Sequence, residues 1–117
     1  MKKVYYLSTC DTCVRILKDW NLPEDFYLQD IKTEPITESQ IEEMHALSHS
    51  YEALFSKRAR LYKSLDLNTK KLSETDYKNY ILEHYTFLKR PVILIGTSIF
   101  IGNSKKTVEA AKKAIHG

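Results

Sequence analysis

The chain has 117 residues, 43% of them hydrophobic, which is enough for one domain with a single core and too few for two. Its formal net charge of +3 comes from 18 basic and 15 acidic residues spread along the chain, so we expect no direct contact with nucleic acid. No stretch approaches the ~20 apolar residues that cross a bilayer, and the first apolar run is shorter than the ~7–15 residues of a signal peptide, so we expect a cytoplasmic protein without membrane contact.

The first part of the chain predicts a strand, a turn, a helix and a second strand. Residues 4–7 are β-branched, aromatic or aliphatic, as in a short buried strand. Residues 12–20 repeat apolar side chains at three- and four-residue spacing, which predicts a helix. A second strand is predicted over residues 26–28. The only two cysteines of the chain, Cys10 and Cys13, then fall in the turn and in the first helical turn.

The middle of the chain is predicted to be helical. Thr37 begins a helix, and Gln40 completes a capping box with it. One or two short helices are expected between residues 54 and 62. Ser73 begins a further helix, which we extend to Leu88 because apolar side chains continue at helical spacing.

The last part of the chain returns to strands. Residues 91–95 and 98–101 are apolar runs separated by a Gly-Thr pair, which is a hairpin signal, and a final helix begins at Ser104. The order β-α-β, several helices, β-β-α predicts an α/β fold with one mixed sheet covered by helices. We expect a single domain over residues 1–117, with a helical insert at about 36–88.

The two cysteines form a Cys-x-x-Cys motif beside this βαβ unit, which is typical of thioredoxin-like redox proteins. Residues three apart at a helix start share a face, so the two sulfurs can come within bonding distance. The helix N-terminus favours a thiolate on Cys10. We therefore predict Cys10 as the nucleophile and Cys13 as the resolving thiol, with Thr12 between them as a supporting residue.

Two other uses of the cysteines are compatible with the sequence. His45 and His49, four apart on a predicted helix, could complete a zinc site with the thiols, although Cys13 and His45 are farther apart than the ~12–15 residues of the common finger pattern. A buried pair with a purely structural role is the other alternative, since free cysteines are often buried. Redox use is the favoured hypothesis, and we expect no metal site.

Three segments, "STCDTCVRIL", "FSKRARLYKSL" and "FLKRPVILIG", resemble in their order and separations the arsenate reductase and Spx-like family of thioredoxin-fold proteins. The resemblance covers nearly the whole chain and implies a four-stranded mixed sheet of thioredoxin type with Cys10 as nucleophile. It also implies that Arg58 and Arg90 bind an oxyanion beside Cys10 and that Pro91 follows a cis peptide bond. Arg60 is a supporting candidate, because it would replace Arg58 if the local helix were rotated.

The sequence departs from the arsenate-reducing members in two ways. Those enzymes carry a third arginine after the last strand, where this chain has Lys105 and Lys106. They also often have a single cysteine and use glutathione with glutaredoxin, whereas Cys13 here fills the resolving position, as in the Spx regulators.

Two functions from different classes follow from the resemblance. The first is a thiol-disulfide oxidoreductase that acts on a small oxyanion or thiol substrate, holds no bound cofactor and is reduced by glutathione, glutaredoxin or thioredoxin. The alternative is an Spx-like redox-sensing regulator, which binds the RNA polymerase α subunit and is switched by a Cys10–Cys13 disulfide.

Overall fold

The computed structural model describes residues 2–117, and this part of the chain forms four strands and six α-helices. In chain order they are β1 (Lys2–Tyr6), α1 (Asp11–Trp20), β2 (Tyr27–Asp30), α2 (Glu38–Ser48), α3 (Tyr51–Leu54), α4 (Arg60–Ser64), α5 (Glu74–Glu83), β3 (Val92–Ile95), β4 (Ser98–Ile101) and α6 (Lys105–His116).

The chain divides into two compact units. The first consists of Met1–Glu34 and Arg90–Gly117, and it contains all four strands with α1 and α6. The second is Pro35–Lys89 and contains α2 to α5. The second unit covers the stretch in which the sequence predicts a helical insert, at about residues 36–88. The expectation of a single domain stays a prediction.

The four strands form one mixed sheet in the order β2-β1-β3-β4. β1 is parallel to β2, with Val4 opposite Leu28, and α1 supplies the crossover that a parallel pair requires. β1 is antiparallel to β3, with Val4 opposite Ile93, and β3 forms a hairpin with β4. Gly96 occupies the hairpin turn with a φ of 59°, which glycine adopts without steric cost. This sheet confirms the predicted α/β fold class.

The core of the first unit lies where α1 and α6 pack on the sheet. Trp20 at the end of α1 is 1% exposed, and its Nε1 donates a hydrogen bond to the Val108 carbonyl of α6 at 3.0 Å. His116 Nε2 donates to the Trp20 carbonyl at 2.6 Å. These contacts join the two helices around a cluster whose buried members are Val4, Ile16, Trp20, Phe26, Ile93 and Ala111.

Two helices of the second unit, α2 and α5, begin at capping boxes. The Gln40 backbone N–H donates to Thr37 Oγ1, and the Thr37 N–H donates to Gln40 Oε1, both at 3.1 Å. This confirms the predicted start of α2. α5 begins in the same way, with Ser73 as the capping residue and Asp76 three positions later.

The prediction that α5 continues to Leu88 is wrong. The helix ends at Glu83, and the His84 side chain accepts a hydrogen bond from the Thr86 N–H at 3.3 Å, which begins a short 3₁₀ turn. Leu88 then forms an isolated antiparallel bridge with Phe55. Its apolar spacing therefore reflects burial in this bridge rather than a helix face.

No helix among residues 2–117 combines the length and apolar character that crossing a membrane requires.

Candidate active site around the two cysteines

A tight turn carries the chain from β1 into α1 and ends at Cys10. The Cys10 N–H donates to the Leu7 carbonyl at 3.1 Å, which closes a four-residue turn. Cys10 is the N-cap of α1, with extended backbone angles, and its carbonyl accepts from the Val14 N–H at 3.0 Å. Thr12 lies half-buried in the first helical turn. The Cys10 side chain therefore starts at the positive end of the helix dipole.

The two thiols differ sharply in their surroundings. Cys13 is fully buried and Cys10 is half-buried, and both are free. Burial raises the pKa of Cys13 to about 11; the Cys10 thiol and the Asp30 carboxylate also raise it, whereas a hydrogen bond with the Leu7 backbone and the Arg90 charge lower it. At neutral pH, Cys13 is consequently an uncharged thiol, and Cys10 is the accessible sulfur.

Asp30, at the end of β2, holds the turn that leads to Cys10. Its carboxylate accepts hydrogen bonds from the Ser8 hydroxyl at 2.5 Å, the Ser8 N–H at 3.3 Å and the Lys32 N–H at 3.2 Å. Burial raises the pKa of Asp30, but the hydrogen bonds from Ser8 and Lys32 outweigh it, so the net pKa is lowered. Asp30 is therefore ionised at neutral pH and anchors Ser8.

The Arg90–Pro91 peptide bond is cis, as the resemblance implies. Pro91 is buried, and its carbonyl accepts from the Gly102 N–H at 2.9 Å, which links the segment before β3 to the turn after β4. Arg90 is half-buried, and its charge acts on the Cys13 thiol. Arg90 therefore belongs to the same unit as the thiols and acts on Cys13, while oxyanion binding by Arg90 stays a prediction.

The other two candidate arginines belong to the second unit. Arg58 is exposed in the turn between α3 and α4, and Arg60 is exposed at the start of α4. A hydrogen bond from the Ser56 N–H to the Phe87 carbonyl, at 2.6 Å, connects this turn to the 3₁₀ turn after α5. Oxyanion binding by Arg58, and its replacement by Arg60, stay predictions.

The two histidines of the zinc alternative end α2. The His45 ring stacks on Tyr51 with centroids 4.0 Å apart. His49 follows the helix in the left-handed conformation, with φ 63°, and its N–H donates to the His45 carbonyl at 2.7 Å. Within residues 2–117, no group of three or more His, Cys, Asp or Glu side chains comes close enough together to hold a metal ion.

Sequence reasoning missed Ser8 and Asp30. Ser8 begins the segment "STCDTCVRIL" without being singled out there, and Asp30 lies in no motif, but Ser8 follows a strand and Asp30 ends a strand that the sequence does suggest. Carboxyl ends of neighbouring parallel strands meet at one edge of a sheet, where functional groups often gather. A polar residue at the end of β2 was therefore the available signal, and the predicted end of that strand at residue 28 concealed it.

Comparison with known proteins gives a consistent set of relatives. The model of the ArsC family matches residues 5–111. The global transcriptional regulator Spx of Streptococcus pyogenes is 23% identical over 113 residues, which cover 94% of this chain and 84% of its own. The solved YFFB protein superposes with a TM-score of 0.78 at 20% identity, over 98% of this chain and 99% of its own. A "possible arsenate reductase" from Streptococcus mutans superposes with a TM-score of 0.71 at 25% identity, over 95% and 97% of the two chains.

Proposed function

Because the chain belongs to the ArsC family, we propose that it is a cytoplasmic thiol-disulfide oxidoreductase in which Cys10 is the nucleophile and Cys13 the resolving thiol. The unequal burial of the two thiols carries this proposal. A nucleophile has to reach its substrate, whereas a resolving thiol needs to reach only the first sulfur.

The proposed reaction has two chemical steps. The Cys10 thiolate first attacks the substrate, either the arsenic of arsenate or one sulfur of a disulfide. Cys13 then attacks the Cys10 sulfur, the Cys10–Cys13 disulfide forms, and the reduced product leaves. With arsenate, the two thiols supply two electrons and two protons, As(V) becomes As(III), and one oxygen departs as water.

The surroundings of Cys13 support this division of roles. With a pKa raised to about 11 by burial, Cys13 stays protonated in the resting protein and does not compete with Cys10 for the substrate. Its proton leaves when it attacks the Cys10 adduct. Thioredoxin, or glutathione with glutaredoxin, then reduces the disulfide by a second exchange, so the cycle needs no bound cofactor.

Arginine side chains provide the proposed substrate contacts. Arg90 brings a positive charge to the thiol pair, and Arg58 is the second proposed ligand on the strength of the family pattern. Bidentate guanidinium groups suit oxyanions. Because Lys105 and Lys106 stand where arsenate-reducing members have a third arginine, the proposed substrate class is a small oxyanion or a thiol compound rather than arsenate alone.

The test is arsenate-dependent NADPH oxidation, coupled in parallel to a thioredoxin system and to glutathione with glutaredoxin. Cys10→Ser should abolish turnover in both systems, because no other thiol of the chain can begin the reaction. Cys13→Ser should abolish turnover with thioredoxin and retain it with glutathione, which can resolve the Cys10 adduct in place of Cys13. Turnover that survives Cys10→Ser would contradict the proposal.

A disulfide substrate provides the second arm of the test. If arsenate is not reduced, hydroxyethyl disulfide replaces it in the same two coupled systems, again with both serine variants. Reduction that requires Cys10 retains the oxidoreductase and identifies a thiol substrate. Absence of turnover with both substrates would overturn the enzymatic proposal.

The 23% sequence identity to Spx, over an alignment that covers 94% of this chain, favours a second candidate. This candidate is a redox-sensing regulator that binds the RNA polymerase α subunit. Here the Cys10–Cys13 disulfide changes the surface offered to the partner instead of taking part in turnover. Reduced and oxidised protein should then differ in their binding to the purified C-terminal domain of the α subunit, measured by titration calorimetry. Lack of binding in both states would eliminate this candidate.

A further inference from the structure

We propose that Asp30 is a positioning residue for the thiol pair. Through its hydrogen bonds to Ser8, it keeps the Cys10 and Cys13 sulfurs in the relative position that disulfide formation requires. The inference rests on the proposed function, because it requires that a Cys10–Cys13 disulfide forms. It adds two residues to the site: Ser8, which opens the cysteine segment, and Asp30, which lies outside all three segments that carry the resemblance.

The first support is the geometry of the turn. Ser8 lies inside the four-residue turn that the Cys10 N–H closes on the Leu7 carbonyl at 3.1 Å. Both the Ser8 N–H and its hydroxyl donate to the Asp30 carboxylate. Hydrogen bonds to an ionised acceptor are about twice as strong as neutral ones, so Asp30 fixes the middle of the turn.

The second support is that this turn touches both sulfurs. Its last residue is Cys10, and the backbone of its first residue, Leu7, hydrogen-bonds to the Cys13 thiol. Leu7 itself is only 5% exposed. A shift of Ser8 would therefore move Cys10, the last residue of the turn, relative to Cys13, which is fixed within α1.

The third support is that the backbone of Asp30 is itself held in place by the sheet. Asp30 pairs with Tyr6 in the parallel ladder of β1 and β2, and the next residue, Ile31, donates its N–H to the Tyr6 carbonyl at 2.9 Å. The Asp30 carbonyl accepts from the Glu34 N–H at 2.8 Å. Because its backbone belongs to the sheet, the Asp30 carboxylate can fix the position of the turn. A side chain on a flexible loop would position it less precisely.

A residue that keeps two thiols close together and correctly oriented raises the effective concentration of one thiol at the other, and so favours the disulfide. The reaction to measure is the dithiol protein with oxidised glutathione, which gives the Cys10–Cys13 disulfide and two reduced glutathione molecules. Its equilibrium constant should fall about tenfold in Asp30→Ala and about threefold in Ser8→Ala, in line with the loss of charge-assisted hydrogen bonds.

The experiment equilibrates each full-length variant in glutathione redox buffers, traps the thiols and counts them by mass spectrometry. Asp25→Ala is the matched control, because it removes another carboxylate of the same unit, one that pairs with Lys2 at 2.7 Å. Urea unfolding of each reduced variant checks the fold. If Asp30→Ala does not fold, Ser8→Ala, which removes one exposed hydroxyl, decides the question.

Asp30→Asn separates position from charge. Its amide retains an acceptor for the backbone N–H groups and a donor to the Ser8 hydroxyl oxygen, but its hydrogen bonds are neutral, so it should restore part of the equilibrium constant that Asp30→Ala loses. The proposal is overturned if Ser8→Ala matches the wild type, or if Asp30→Asn falls as far as Asp30→Ala. A wild-type protein that forms no Cys10–Cys13 disulfide would instead overturn the proposed function, and this inference with it.

Discussion

At the scale of single residues, the site consists of one half-buried thiol, one buried thiol and the charges around them. Cys13 is fully buried, yet Asp30 and Arg90 both act on it, with opposite effects on its pKa. Burial has the largest effect and keeps the thiol neutral. The consequence is a thiol that is stable in the resting protein and becomes nucleophilic only as it loses its proton.

The raised pKa of Cys13 predicts a loss of stability at alkaline pH. In the unfolded chain the thiol has its ordinary pKa of 9.0, whereas in the folded chain the pKa of Cys13 is raised to about 11. Between these values the folded state binds more protons, so the free energy of unfolding falls as pH rises, by about 2–3 kcal/mol in all. Below pH 9 this contribution is fully present.

Urea unfolding of the reduced protein from pH 8 to pH 11 measures this effect. Cys13→Ala is the reference, because it removes the titrating thiol and leaves every other ionisable group of the chain in place. The difference in unfolding free energy between wild type and Cys13→Ala should shrink progressively above pH 9. A difference that stays constant across this range would contradict the buried-thiol assignment.

At the scale of secondary-structure elements, the sequence predicted what local chemistry determines and missed what tertiary contacts determine. The Thr37 cap and the hairpin around Gly96 depend on neighbouring residues, and both were found. The strand predicted over residues 26–28 stops two residues short of β2, which includes Gln29 and Asp30. The structure buries Gln29 and gives its Nε2 the Glu34 carbonyl at 3.0 Å, a contact that no local pattern reveals.

The capping boxes of the second unit give a prediction at this scale. Thr37→Ala removes the hydroxyl that accepts the Gln40 N–H and should lower the free energy of unfolding by about 1 kcal/mol. Ser39→Ala, at an exposed position two residues later inside α2, should change it by no more than a few tenths, because alanine suits a helix interior. Chemical denaturation followed by circular dichroism compares the two variants, and equal losses would contradict a specific role for the cap.

At the scale of the whole molecule, the resemblance of three short segments to a known family predicted features of the fold that composition and periodicity do not predict. The four-stranded mixed sheet and the cis peptide bond before Pro91 agree with what it implies. The resemblance groups the two thiols with Arg90, because they lie in the segments that carry it. It does not pair Ser8 with Asp30, because that contact joins the ends of two strands and depends on the register of β1 and β2.

The sequence also predicts a single domain, and cooperative unfolding tests this at the same scale. Trp20, the only tryptophan, is buried in the core of the first unit, so its fluorescence follows that unit. Far-ultraviolet circular dichroism, in contrast, includes the four helices of the second unit. A chain of 117 residues is too short for two independent cores, so both signals should change at one urea concentration.

Two core variants make the same test stricter. Ile93→Ala removes a side chain buried in the first unit and Ile81→Ala one buried in the second, where they are 0% and 2% exposed. Each should lower the free energy of unfolding by about 2–5 kcal/mol. In a single cooperative domain, either substitution shifts the tryptophan and circular dichroism transitions together. If Ile81→Ala shifts the circular dichroism transition and leaves the Trp20 signal in place, the units unfold independently, and the prediction of a single domain is wrong.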